Sequence, residues 1–191
     1  MPRIEAPTLA EHQALRRSAL VQAAAQILAV DGPHAITPAA VAAMAGLARS
    51  STYQYFPSTA ALIRAGVEEF FRAAMERIET EVPAEGAPMD RIEAYIASTL
   101  DSAVSGHTAM MRLSSLDLPK ECHDRVRELH DQFGDIVGAA LVDCGALDPE
   151  VLTPLVTGLV QAGARQVAEG VPAERVRRVI MRLIRGACPG C

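Results

Sequence analysis

The 191-residue sequence shows no alternation of apolar and polar residues of the kind that marks half-buried strands. It also has no apolar run long enough to span a bilayer. The longest, from Leu20 to Val30, is interrupted by Gln22 and Gln26. Four cysteines in a chain of this length are too few for a disulfide scaffold. The first twenty residues carry Glu5, Glu11, His12, Arg16 and Arg17 and no leader-like apolar segment, so the expectation is a cytoplasmic protein without a membrane partner. No Gly-rich phosphate loop, no HExxH and no serine nucleophile motif occurs, so neither catalytic residues nor a cofactor are expected. Internal repeats and low-complexity tracts are missing too.

What remains is a chain that is 50% hydrophobic and 21% charged, enough to pack a core. Its length suits one ordinary domain or two small ones. The net charge of −5 is unevenly spread: residues 1–64 carry +2 and the remaining 127 carry −7. A basic N-terminal third can meet a polyanion, whereas the acidic remainder would repel one. Prolines punctuate a helical apolar spacing. The pattern predicts helices at Glu11–Val30, Pro38–Ala45, Arg49–Tyr55 and Thr59–Glu81, then at Met89–Ser105, His107–Ser115, Lys120–Cys144, Pro149–Glu169 and Pro172–Gly186. Pro154 interrupts the pattern that follows Pro149. The fold class is all-α: a small three-helix unit (residues 11–57) joined to a larger helical bundle (residues 58–187), with tails at 1–10 and 188–191.

The most informative stretch is TPAAVAAMAGLARSSTYQYFPSTAAL, residues 37–62. Thr37 is placed to cap a short helix that has Pro38 in its first turn. Val41, Met44 and Ala45 would face inward, Gly46 would permit a left-handed turn, and Leu47 would plug the core. A second short helix would start at Arg49. Helix, glycine turn, helix is the geometry of a helix-turn-helix, whose second helix enters a major groove. Thr52 and Phe56 are four apart and can face the core, leaving Arg49, Ser50, Ser51, Tyr53, Gln54 and Tyr55 on the other sides. Arginine reads guanine edges and neutralises phosphate, and hydroxyls donate to phosphate oxygens. Free N–H groups at the starts of these helices also suit anions.

With Ala24, Leu28, Gly32, Ile36, Thr37, Val41, Ala42, Ala45, Gly46, Leu47, Thr52, Tyr53, Tyr55, Phe56 and Leu62 in ungapped register, the first 65–70 residues resemble the tetracycline-repressor-like (TetR) family of bacterial transcriptional regulators. The resemblance implies an all-α homodimer whose third helices each enter one half-site of an inverted-repeat, palindromic operator in double-stranded DNA. It implies a C-terminal body with a pocket for a small-molecule effector and the dimer interface; effector binding would part the reading heads and release DNA. The DNA-contacting set would be Thr37, Arg49, Ser50, Ser51, Tyr53, Gln54, Tyr55 and Thr59. Two residues depart from the family pattern. Ala48 stands where serine usually caps the recognition helix, a loss of about 1 kcal/mol in typical hosts. Thr59 stands where lysine usually meets a phosphate, which flattens the salt dependence by about one unit of log K per log salt per half-site.

In the C-terminal body, Leu152, Leu155, Leu159 and Val160 recur at helical spacing with Gly158, Ala162 and Gly163, and the last helix bears an apolar stripe of Val176, Val179, Ile180, Leu183 and Ile184. Leu155, Gly158, Leu159, Ala162, Val179 and Leu183 are the expected dimer interface; an intramolecular bundle face is the alternative. Tyr95, His107, Met110, Met111, Phe133 and Arg165, with Met89, are candidates for the effector pocket, although methionine at helical spacing is often core filler. Cys122, His123 and His130 do not make a metal set, because Arg127 intervenes and no fourth ligand is evident. Cys188 and Cys191 form a terminal CxxC that would make the regulator a thiol sensor if the thiols were reactive. A further alternative is an all-α ligand-binding protein or enzyme whose N-terminal unit is only structural.

Overall fold

Short polar caps, not long-range pairing, start and stop the first elements of this computed structural model, which describes residues 9–104 and 118–188. Helix α1 is Leu9–Asp31, and a 3₁₀ turn, Pro33–Ala35, follows it. In α2 (Pro38–Met44), Thr37 Oγ1 accepts a hydrogen bond from the Ala40 N–H at 3.1 Å. Gly46 adopts φ +67°, and the Leu47 N–H donates to the Ala42 carbonyl at 2.8 Å. That 6→1 bond closes the helix end in the way a left-handed glycine allows. Helix α3 (Arg49–Tyr55) begins after Ala48, which offers no side-chain cap. Ser58 then caps α4 (Thr59–Glu81), its Oγ accepting from the Ala61 N–H at 3.1 Å.

The chain divides into two units, residues 1–70 and 71–191, and the division falls inside α4 between Phe70 and Phe71. In the first unit, Leu20, Ala24 and Leu28 of α1 are buried, as are Ile36, Val41, Phe56, Leu62 and Val67. The early turns of α4 therefore supply this core, which carries the unit past the residue-57 joint read from the prolines. Gly66 lets the two long helices cross closely. A Cβ there would fall 2.9 Å from the Ala24 Cβ and 3.1 Å from its carbonyl carbon. Gly66→Val is expected to destabilise the unit by an amount typical of overpacking, roughly 1–3 kcal/mol, and so to lower its unfolding temperature. Thermal unfolding followed by circular dichroism measures it; an unchanged midpoint would show that α1 moves freely aside.

The second unit contains the remainder of α4, α5 (Pro88–Val104), α6 (Lys120–Asp143), α7 (Pro149–Ala168) and α8 (Ala173–Ala187). The helix expected at His107–Ser115 lies outside the described residues. Helix α5 is central, packing against α6, α7 and α8 through Ile92, Ile96 and Leu100. Asp148 caps α7 at the Val151 N–H, and Pro154 sits inside the helix without ending it. Gly163 is buried, and a Cβ on it would come within 2.7 Å of both Ile180 and Val176. This corrects the sequence reading: Gly163 makes room for α8 of its own chain and not for a partner helix. Among the described residues every regular element is helical, and no helix is long and apolar enough to cross a membrane.

Candidate functional site

Helix α3 is anchored by two side chains. Thr52 is 1% exposed, and its hydroxyl donates to the Pro38 carbonyl at 3.3 Å, which fixes α3 against the start of α2. Phe56, at the end of α3, is buried, with the Arg17 guanidinium 5.4 Å from its ring centre. That cation–π contact ties α1 to the recognition unit. With these residues turned inward, Arg49, Ser50, Tyr53 and Gln54 face solvent, Ser51 and Tyr55 are half-buried, and Thr37 and Thr59 are exposed at the neighbouring helix starts. Tyr53 is 52% exposed. Met44, read as inward-facing, is 52% exposed on α2 instead. The buried side of α2 is set by Val41 and Ala42, and Met44 lies outside it.

A seven-residue helix is roughly 10 Å long and enters a major groove about 12 Å wide without reshaping it. No Asp or Glu occurs between Asp31 and Glu68, a feature that overall charge counts obscure. The exposed surface of α2, α3 and their turn therefore carries no carboxylate to repel phosphate. Its formal charge comes from Arg49, and its donors are hydroxyls, a carboxamide and backbone N–H groups.

The interior of the second unit is apolar with scattered polar groups. Tyr95 is buried, and burial pushes its phenol up to about 12 against a smaller opposing effect of Thr99. Phe133 is buried, and its ring meets Phe71 edge-on at 5.8 Å; Phe71 also takes the His130 ring edge-on at 5.0 Å. Ser98 Oγ and His130 Nε2 are buried with no hydrogen-bond partner among the described residues. Sequence reasoning passed over Ser98, which stands one turn after Tyr95 on α5. Arg165 is exposed on α7, apart from the buried Tyr95 and Phe133, and Met89 is half-buried. His107, Met110 and Met111 lie outside the described residues.

Burial lowers the His130 pKa below its usual 6.5, partly offset by Asp131. The folded protein therefore gives up protons that the unfolded chain keeps. The associated stability is complete above pH 6.5 and is lost as pH falls from there through the folded value. Chemical unfolding at pH 7.5 and 5.5 should show a smaller loss for His130→Leu than for wild type; equal losses would show that His130 titrates freely in the fold.

Cys122 is buried and His123 is exposed, so consecutive residues of α6 point to different sides. Cys188 is 1% exposed, and burial raises its thiol pKa. Reactive thiols need the opposite environment. Cys191 lies outside the described residues.

The outer face of the last two helices carries exposed apolar residues, flanked on α8 by Arg175, Arg178 and Arg182. On α7, Leu155 is 63% exposed, Gly158 is open to solvent, and Leu159 and Ala162 are half-buried. On α8, Val179 and Leu183 are each 56% exposed, while Ile180 and Ile184 turn into the core. The single apolar stripe read on α8 is thus two stripes, one inward and one outward.

Residues 20–65 match the model of the bacterial regulatory proteins of the tetR family. No curated protein sequence matches the chain. Among solved structures, a TetR-family transcriptional regulator from Streptomyces coelicolor is 19% identical, with a TM-score of 0.74 over 96% of each chain. The transcriptional regulator FadR from Bacillus subtilis, in complex with stearoyl-CoA, is 16% identical, with a TM-score of 0.70 over 91% of this chain and 98% of that one. A protein from Saccharomonospora viridis in complex with choline is 16% identical, TM-score 0.74, over 90% and 96%. Residues 20–65 are thus a tetR-family helix-turn-helix module, carried on a chain with the fold of that family's transcriptional regulators.

Proposed function

We propose that this chain is a homodimeric, effector-responsive transcriptional repressor that binds an inverted-repeat operator through α3 of each subunit. The observation that carries the reading is the outward face of α3: Arg49, Ser50, Tyr53 and Gln54, held by buried Thr52 and Phe56 on a carboxylate-free surface. Arg49 would read a base edge, and the Ser and Tyr hydroxyls with Thr37 and Thr59 would set register on phosphates. Leu155, Leu159, Val179 and Leu183 would pair two subunits so that their half-sites lie about one helical turn, roughly 34–36 Å, apart. The second unit would hold the effector, and occupied structures of the same fold support that role: one contains stearoyl-CoA and another choline. The protein would act in the cytoplasm without catalysis.

Selection of bound duplexes from a random pool tests the proposal. An enriched inverted repeat is expected. Binding without enrichment would contradict the proposal, and no binding at all would support a ligand-binding protein or enzyme whose N-terminal unit is structural.

A further inference from the structure

Helices α6 and α7 flank a groove of about 620 Å³ that opens to solvent, with His130 among its lining residues. Its rim carries Asp131, Asp135 and Glu150, and no Lys or Arg lines it. No ion pair is recorded for these three carboxylates among the described residues. The hydroxyls nearby are already committed: Thr153 donates to the Pro149 carbonyl at 2.7 Å and Thr157 to the Thr153 carbonyl at 3.1 Å. The groove therefore offers acceptors and negative charge. Its depth comes from Gly134 and Gly138, which line it without side chains; a Cβ on Gly138 would stand 3.1 Å from Thr153 Oγ1.

The complementary surface is on the same chain. The outward stripe of α8 runs Arg175, Arg178, Val179, Arg182 and Leu183, all exposed, at the three- and four-residue steps of one helix face. Arg177 and Arg185 are engaged by Glu93, whereas Arg182 has no recorded ion pair among the described residues and Arg178 reaches Glu174 only at 3.8 Å. The groove cannot be filled by the α8 of its own chain, because that helix packs on α7 through Gly163. In a two-fold pairing through Leu155, Val179 and Leu183, the partner's α8 would run along the exposed side of α7, where Pro154 borders both that side and the groove.

We propose that this groove receives Arg178 and Arg182 of a second copy, so that two symmetric arginine–carboxylate latches flank the apolar Leu155–Val179–Leu183 seam and set its register. The inference rests on the dimer reading given above and adds to it the residues that fix how the copies align. Rim charge pairs of this kind act mainly on register and partner choice.

Sedimentation velocity on the full-length chain tests the proposal, using two variants with exposed substitutions, Asp131→Arg with Asp135→Arg and Arg178→Glu with Arg182→Glu. Each alone should raise the dimer dissociation constant by about tenfold or more, because like charges then face each other at both latches. An equimolar mixture should restore association to within about threefold of wild type, since a heterodimer pairs opposite charges at both sites. Dimers as tight as wild type from both variants would overturn the latch. Weakened dimers that the mixture does not rescue would also overturn it, because the pairing would then be wrong. Leu155→Arg separates the two levels of inference. If it yields monomers while the charge variants stay dimeric, the seam stands and the latch falls; if it leaves the dimer intact, both fall.

Discussion

Arg49→Ala is expected to weaken operator binding by roughly 1–3 kcal/mol per half-site, which a two-fold dimer incurs twice. Arg49 is exposed at the first position of α3, and Phe56 and Thr52, which fix the helix, are untouched by the change. Helical content and unfolding temperature should therefore hold while affinity collapses. Tyr53→Ala, combined with it, removes a 52%-exposed ring and its hydroxyl and should bring specific binding to the level of random duplex. Met44→Ala is the matched control: equally exposed, on the preceding helix and apolar, it should change affinity little. Fluorescence anisotropy with the selected duplex and a scrambled one measures all three. Loss of affinity accompanied by loss of helicity would mean that α3 had been unseated, and unchanged affinity in the double variant would place the reading surface elsewhere.

Leu155→Arg carries the second large effect. Leu155 is 63% exposed on α7 in the same outward face as Gly158, and it makes no contribution to the unit's own core. A charge buried at the centre of a dimer seam without a partner costs several kcal/mol per subunit, whereas the same charge on a monomer surface costs almost nothing. The variant is expected to be a folded monomer at micromolar concentration, and its affinity for a full operator should fall toward that for a single half-site. Sedimentation and anisotropy on the same sample distinguish this from misfolding, which would lower both helicity and solubility. A variant that dimerises and binds normally would exclude α7 from the subunit contact.

Much of the fold was legible because its punctuation is local. Thr37–Pro38 and Gly46 act within one helical turn, so a residue pattern predicts them without tertiary information. Arg49–Tyr55 and Thr59–Glu81 begin and end where the spacing placed them, and the other described helices shift by one or two residues at fraying ends. What the spacing could not reveal was which of two apolar faces is core. On α8, Ile180 and Ile184 point inward and Val179 and Leu183 outward, yet all four are aliphatic and adjacent on the helix. Gly163 was misread for the same reason: small residues serve close packing inside a chain as well as between chains, and only Ile180 and Val176 lying against it decide which. Met44 was misread because apolar character alone does not mark the buried side of a short Ala-rich helix, which Val41 and Ala42 occupy. Thr52 and Phe56 were legible as anchors from their spacing alone, which is why the solvent-facing residues Arg49, Ser50, Tyr53 and Gln54 of α3 could be named. The interior groups Ser98 and His130 were not, because a buried hydroxyl or imidazole becomes distinctive only when its missing hydrogen bond is seen.

The central claim is that two α3 helices, one from each subunit, occupy successive major grooves on one side of a duplex. Hydroxyl-radical footprinting of the wild-type protein on its selected operator measures this directly. The account predicts two protected patches related by a dyad and centred about one helical turn apart, both lost in Arg49→Ala with Tyr53→Ala. A single protected patch, or protection that persists in that double variant, would contradict it.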